Sequence, residues 1–448
     1  GLIEQADNLF NRIEHISDEG LPNKIPYREP FHEMMNDNDS LYRKEIANAD
    51  IELMLTAQYF SYARYVWEGM SETKSQKIDW FLPRKKINLQ QIMDSLLLDS
   101  NPQFVATEPV YRQYGLLKDY LKKYREIQKK GGLTFIKADK RSYRPGDSSA
   151  AVISIRKCLF ILGDIASDNG SALYDKELED GVKRFQNRYG LKEDGITGPS
   201  IVKEINTPLS KRIEQLIVNL ERCRWLPEEP KGVYFAVNIP AYTLYAYEND
   251  SLLWTMNVVV GKSVHKTVIF SGDLKYVVFS PYWNVPPGIL KDEVLPAIRR
   301  DKNYLTRNHM EWNGNSVRQL PGPWNALGQV KFLFPNSHNI YLHDTPAKTL
   351  FGQEKRAFSH GCVRVSEPER LAQFLLRNDS SWTKEKIKSA MNASREQYVT
   401  LKETVPVFIA YFTAFVDREG RLNFRDDVYQ RDSRLAQMIF EKSNTSGQ

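Results

Sequence analysis

The sequence predicts an α+β multidomain protein. It divides into a helical scaffold over 1–141, a small three-helix module over 142–207, a connecting helix over 208–231, a mainly β domain over 232–428 and a C-terminal helix and tail over 429–448, with an inserted cap at about 286–338 of the β domain. Three observations carry this reading. Apolar residues recur at helical spacing as far as about residue 225. From Gly232 the texture changes to short β-branched and aromatic runs separated by Gly, Pro, Asn and Asp. The length, 448 residues, suggests about three domains at roughly 150 residues each, and buries a core without help from disulfides or metal.

In the scaffold, Asn48 to Val66 reads as a long helix through Ile51, Leu53, Met54, Leu55, Tyr59 and Phe60. A second takes Thr107 as N-cap and Pro109 in its first turn. It carries Val110, Tyr114, Leu117, Leu121 and Tyr124 on one face and stops at Gly131-Gly132. No site chemistry is visible there. Arg144-Pro145-Gly146-Asp147 is a linker or turn. The module then places one helix from Ser148 to Leu162, ended by Gly163. A second has Asp175 as N-cap, with Leu178, Val182, Phe185 and Tyr189, and ends at Gly190. A third, short helix is opened by Pro199.

In the β domain, Val233–Ile239, Thr243–Tyr247, Leu252–Val260 and Tyr276–Ser280 read as strands, mainly antiparallel. Pro286 to His338 interrupts them with a helix over Leu290–Arg300 and a stretch rich in Asn, Gly, Pro and Trp. An excursion of that length is either a lid or a purely structural subdomain. Strand texture returns at Asn339–His343. Ser366 with Glu369 three residues on reads as a capping box, and Val405–Phe415 and Arg421–Asp427 read as closing strands.

Composition excludes several classes. Hydrophobic residues at 41% and charged residues at 26% are those of an ordinary globular protein, not of a disordered or collagen-like chain. The net charge of +6 is mild. The densest basic stretch, Lys118 to Arg144, is broken by Asp119, Glu126 and Asp139, so it reads as a solvated helix face rather than a nucleic-acid surface. An anionic polymer or membrane surface stays compatible. The longest uncharged apolar run, Val405–Val416, is 12 residues, too short to span a bilayer. The chain begins with Gly1 rather than Met, which reads as a mature or trimmed product and leaves room for an N-terminal targeting segment to have been removed.

Two tempting motifs fail. Gly261-Lys262-Ser263 follows a valine run, but a phosphate-binding loop needs Gly where Met256 stands. His338, His343 and His360 lack the spacing of zinc ligands, and no metal is expected. The three cysteines form no CxxC. Cys158 sits in an apolar helical pattern and reads as a small buried hydrophobe, and Cys223 has basic neighbours but no catalytic context.

Cys362 differs. It lies in Ser359-His360-Gly361-Cys362-Val363-Arg364-Val365, downstream of Tyr341-Leu342-His343-Asp344. A thiol is mostly protonated at neutral pH and needs a base to become a nucleophile. His343, nineteen residues upstream at the end of an expected strand, can be brought to face it. Gly361 allows close approach of substrate to the backbone, where free N–H groups would hold an oxyanion. A buried structural Cys362 is the alternative.

His343 followed by Ser359-His360-Gly361-Cys362-Val363 resembles the signature of the L,D-transpeptidase catalytic domain of the YkuD type, over residues 232 to about 428. Val258-Val259-Val260-Gly261-Lys262 and Pro281-Tyr282-Trp283-Asn284-Val285-Pro286 also fit it. Phe185-Gln186, Gly190-Leu191, Asp194-Gly195 and Gly198 resemble a peptidoglycan-binding domain of type 1, which docks on glycan or stem peptide or serves as a spacer. The whole organisation is similar to the long periplasmic, YcbB-like members.

The resemblance implies Cys362 as nucleophile, His343 as base and the Asp344 backbone carbonyl orienting the imidazole. Backbone N–H groups at Gly361 and Cys362, with the Tyr341 hydroxyl, would form the oxyanion site. Arg364 departs from the family, which more often has Asn there. It would clamp a substrate carboxylate or brace the loop. Ser359, His360 and Trp283 are expected at the substrate. Trp283, Trp312 and Trp324 read equally as packing within the insertion.

The implied reaction joins tetrapeptide stems by 3→3 cross-links through meso-diaminopimelate, with a Cys thioester and loss of D-Ala. No cofactor is implied. Peptidoglycan stem peptides and glycan are the expected partners, carbapenem-type β-lactams the expected covalent inhibitors, and the periplasm of a Gram-negative cell the expected location. Membrane attachment is expected only through an N-terminal segment not in this chain. A cysteine L,D-carboxypeptidase or other stem-peptide hydrolase, and a non-catalytic wall-binding protein, are the alternatives.

Overall fold

The change of texture at Gly232 is a change of fold. The computed structural model describes residues 4–36, 48–98, 108–227, 230–249 and 251–441. They fall into two units. Gly1–Ile78, Pro83–Glu228 and Phe412–Gln448 make one, and Asp79–Leu82 with Glu229–Tyr411 the other. Among the described residues no helix is long and apolar enough to cross a membrane.

The first unit is helical. Gln113–Lys129 packs along Leu209–Trp225, burying Leu117, Leu121, Leu216 and Leu220 completely. The first of these helices starts at Gln113, later than the sequence suggests. Glu108 pairs with Arg12, and the Val110 N–H returns to the Glu108 carbonyl in a turn too tight for a helix. Thr107, the expected N-cap, lies outside the described residues. The Asn48–Ala63 helix widens into a π turn over Arg64–Glu68.

The three-helix module has helices Ala150–Leu162, Lys176–Arg188 and Pro199–Ile205. Asp175 caps the second, accepting from the Leu178 N–H at 3.0 Å, and a buried Asp164–Arg188 pair ties the second helix to the end of the first. Gln186 explains part of the module's sequence motif. Its amide donates to Asp194 and accepts from the Gly195 N–H, both at 2.8 Å, so these residues fold the turn.

Two expectations about boundaries need correction. The ribbon of Ala414–Val416 with Leu422–Phe424 belongs to the helical unit, so the β domain ends at Tyr411 rather than 428. Residues 79–82, expected in the scaffold, belong to the β unit. There Trp80 is buried and bridges to Ile269.

The second unit has strands β1 (Val233–Asn238), β2 (Thr243–Glu248), β3 (Ser251–Gly261), β4 (Phe270–Phe279), β5 (Trp283–Asn284), β6 (Met310–Asn313), β7 (Ser316–Gln319), β8 (Val330–Leu333), β9 (Leu342–His343), β10 (Ala357–Ser359), β11 (Val363–Val365) and β12 (Gln397–Ala410). Nine of them form one sheet in the order β10-β3-β11-β9-β8-β4-β12-β1-β2, which a β2–β3 ladder closes on itself. Pairings are antiparallel except β1–β12, β3–β10 and β9–β11. Phe235, Val258, Val277, Phe332, Leu342, Val363 and Val407 are wholly buried in its core.

The insertion builds its own small core from Val285, Val294 and Val317 and its own sheet, β5-β7-β6. It ends earlier than 338, because β8 already belongs to the main sheet between β4 and β9. The capping box at Ser366 does not form. The Ser366 N–H bonds the Asn257 carbonyl within β3, and the helix begins at Pro368, whose ring suits a first helical position.

Candidate active site

Strands β9 and β11 run side by side in parallel, with Leu342 opposite Val363 and His343 opposite Arg364. Leu342 and Val363 point into the core. Side chains alternate along a strand, so Tyr341, His343, Cys362 and Arg364 share the other face. The sequence pattern therefore assembles the four candidate side chains on or beside two adjacent strands.

The turn before Cys362 is held by hydrogen bonds on every side. Strand β10 pairs with the end of β3, Ser359 opposite Gly261. The Ser359 hydroxyl accepts from the Gly361 N–H at 3.1 Å and donates to the Cys362 carbonyl at 2.5 Å. Gly361 sits at φ +117°, a conformation that favours glycine. Thr267, fully buried, accepts from the Gly261 N–H at 2.9 Å and donates to the Gly361 carbonyl at 2.8 Å. Nothing in the sequence pointed to Thr267. It follows a loop that reads only as the remnant of a failed phosphate motif.

Cys362 is half-buried. Its sulfur lies 3.6 Å from the Asn339 carbonyl oxygen. Burial pushes its pKa up, while the neighbouring Tyr341 amide and hydroxyl and the Arg364 charge pull it down. His343 is buried, and its Nδ1 lies 2.5 Å from the Asp344 carbonyl oxygen. A carbonyl only accepts, so Nδ1 carries the proton and Nε2 is left as the base. Burial first, then the Arg364 and Lys331 charges, lower the His343 pKa to about 3 against the opposing pull of the Asp344 carbonyl. The resting pair is thus a neutral thiol and a neutral imidazole.

Burial pushes the Tyr341 hydroxyl far up, so it stays a donor. The Arg364 Nε is buried without a hydrogen-bond partner among the described residues. The Asp344 side chain does separate work. Its carboxylate accepts from the Gln329 N–H at 2.9 Å and the Thr345 N–H at 2.6 Å, pinning the start of β8.

Several expected roles change. The Gly361 N–H is engaged by Ser359 and is not available to an oxyanion, which leaves the Cys362 N–H; among the described residues none accepts from it. Ser359 is buried with its hydroxyl held inside the turn, so it positions the loop instead of meeting substrate. Trp283 packs against the insertion's own core. His360 does reach the surface, where it meets Glu293 of the insertion at 3.3 Å and the His265 ring at 5.1 Å. His338 packs against Phe81 and Phe270. Cys158 and Cys223 are buried, and burial lifts their thiols to about 11 and about 12, as expected of inert cysteines.

Residues 232–399 match the family model described as the L,D-transpeptidase catalytic domain, 148–205 the "Putative peptidoglycan binding domain", and 1–121 a scaffold domain. A Haemophilus influenzae protein described as "Putative L,D-transpeptidase" is 32% identical over 250 residues, 51% of this chain and 50% of that protein. The chain thus matches about half the length of this curated relative. Among solved structures, an L,D-transpeptidase from Mycobacterium smegmatis is similar at 13% identity and a TM-score of 0.23, covering 41% of this chain and 61% of that one. One from Stackebrandtia nassauensis is similar at 15% identity and 0.26, covering 61% and 97%. At these scores the assignment rests on the family match, not on the structural likeness. The chain carries a YkuD-type L,D-transpeptidase catalytic domain over residues 232–399 and a peptidoglycan-binding type 1 domain over residues 148–205.

Proposed function

We propose that this protein is a peptidoglycan L,D-transpeptidase that forms 3→3 cross-links between tetrapeptide stems through a thioester on Cys362. The observation that carries the reading is the placement of Tyr341, His343, Cys362 and Arg364 on one face of β9 and β11 within a domain of that family.

The sulfur faces Asn339 and Tyr341 at rest, so rotation of the Cys362 side chain or a bridging water brings its proton to His343 Nε2. Such contacts commonly tighten only with substrate bound. His343 Nε2 takes the thiol proton as sulfur attacks the carbonyl of the third, meso-diaminopimelyl residue. The tetrahedral oxyanion is held by the Cys362 N–H and the Tyr341 hydroxyl. The imidazolium returns its proton to the departing D-Ala amine, leaving the thioester. The side-chain amine of a second stem then attacks, His343 accepts a proton from it, and the thiol is restored as the C–S bond breaks. Arg364, whose buried Nε has no partner among the described residues, is suited to a stem carboxylate. A carbapenem carbonyl enters the same site and acylates Cys362. This chemistry belongs in the periplasm of a Gram-negative cell, where the substrate lies. The insertion, joined to the nucleophile loop by Glu293 and His360, shields the thioester from water.

The test is incubation with disaccharide-tetrapeptide, followed by mass spectrometry, beside Cys362→Ala. A dimer lacking one D-Ala, absent in the control, is the expected result. Tripeptide alone would make the enzyme a carboxypeptidase. Turnover that survives in Cys362→Ala would overturn the nucleophile.

A further inference from the structure

We infer that Thr267 is a positioning residue for the oxyanion site, setting the direction of the Cys362 N–H by holding the opposite end of the same peptide bond. The inference rests on the proposed acyl-transfer reading. In a trans peptide the C=O and N–H lie in one plane and point in opposite directions. The Gly361 carbonyl and the Cys362 N–H are the two ends of one such unit, and no peptide bond in the described chain is cis. A group that fixes the carbonyl therefore aims the N–H.

Thr267 fixes the carbonyl with little freedom. Its hydroxyl is wholly buried and accepts from the Gly261 N–H at 2.9 Å, which directs its single proton to the Gly361 oxygen at 2.8 Å. The neighbouring peptide units are held separately. The Gly361 N–H is bound by Ser359, the Cys362 carbonyl is bound by Ser359, and the Val363 N–H bonds the Tyr341 carbonyl at 3.1 Å. Gly361 at φ +117° is the joint most free to turn. Without Thr267, rotation there would swing the Cys362 N–H away while leaving the sulfur in place. Thr267 thus acts on transition-state binding and not on the thiol, a separation that a merely structural residue would not show.

The experiment uses the full chain and two probes of Cys362. A carbapenem, followed by intact-protein mass spectrometry, reports acylation, which needs the oxyanion site. Iodoacetamide, followed by peptide mass spectrometry, reports alkylation, which does not. Thr267→Val keeps the shape and removes the hydroxyl. Its acylation rate is expected to fall ten- to hundredfold, in the range below the loss of a whole oxyanion donor, with alkylation within twofold of wild type. Thr267→Ser should restore acylation to within threefold. If Thr267→Val does not fold, Thr267→Cys keeps the volume with a weaker donor, and its acylation should fall severalfold at unchanged alkylation. Equal acylation of the hydroxyl-free and wild-type proteins, equal loss of both reactions, or a serine variant as slow as valine would each overturn the inference. A wild-type protein that is alkylated but never acylated would instead sink the acyl-transfer reading itself.

Discussion

Gly261→Ala should cripple acylation although the residue lies outside the catalytic motif. Gly261 has no unusual φ; what it lacks is room. A Cβ there would overlap the His265 carbonyl oxygen and lie 2.9 Å from the Thr267 N and 3.1 Å from the Gly361 Cα, all of them backbone atoms. No side chain can swing aside, so the 265–267 turn must retreat by about 1 Å, carrying with it the Thr267 hydroxyl that holds Gly361. A misplacement of about 1 Å at a reacting group costs on the order of a hundredfold in rate, or about 2.7 kcal/mol. Overpacking costs about 1–3 kcal/mol of stability, a melting shift of a few degrees for a domain of this size. The assay is carbapenem acylation of Cys362 by intact mass, with thermal melting in parallel. Gly288→Ala is the control, since a Cβ there meets nothing within 4 Å. If Gly261→Ala acylates within threefold of wild type, the turn moves independently of the nucleophile loop and the reasoning fails.

Three further outcomes are expected. The Cys362 thiol, pushed up by burial, is less than about one-thirtieth ionised at pH 7, so its alkylation by iodoacetamide should rise about tenfold per pH unit from 6 to 8; a plateau in that range would mean a stabilised thiolate. The folded-state pKa of His343, about 3, lies below its unfolded value of about 6.5. Above pH 6.5 both states are neutral, and as pH falls toward 3 only the unfolded chain gains the proton. His343→Gln should therefore lose about 2–3 kcal/mol less stability than wild type between pH 7 and 4.5, read by chemical denaturation at each pH; parallel losses would refute this. Arg364→Gln should raise KM for the tetrapeptide about ten- to hundredfold, the worth of a charge-assisted hydrogen bond, and a donor amidated at its terminal carboxylate should be much less affected by the substitution; equal sensitivity of the two donors would remove the carboxylate from the argument.

How far the site could be read in advance follows from what each residue does. Cys362 and His343 were legible as a candidate pair because a thiol nucleophile needs a base and both sit in strand texture at a workable separation. The register that puts Tyr341 and Arg364 on the same face follows from period-two alternation once β9 and β11 are known to pair. The three-helix module was legible from Asp175, Gly163, Gly190 and Pro199, whose caps and stops act locally. Thr267 was not, because its work is done across 94 residues of sequence, on the Gly361 carbonyl, and a lone Thr after a loop carries no pattern. Of the two N–H groups expected at the oxyanion, that of Gly361 is withdrawn by its near neighbour Ser359, a local turn bond that the motif does not announce. The end of the β domain was misread because the Val405–Phe415 run is continuous in texture but divides between two units after Tyr411.

The electrostatics give Arg364 its place. Its charge lowers the pKa of both His343 and Cys362. Lowering the thiol pKa favours proton loss from sulfur, whereas lowering the imidazole pKa disfavours proton gain at nitrogen. The two effects oppose each other in the transfer of a proton between them, so the cation largely cancels from that step. Burial likewise disfavours both charged forms, and the pair rests neutral. A cation beside a neutral pair, with a buried Nε that has no partner among the described residues, favours a negative charge that arrives with the substrate or develops on it. A stem peptide brings carboxylates, and attack of sulfur on its carbonyl creates an oxyanion. Tyr341 and the Cys362 N–H are placed for the second. In the proposed reaction Arg364 is therefore left for the first, where it would hold the donor stem with its third residue over the sulfur.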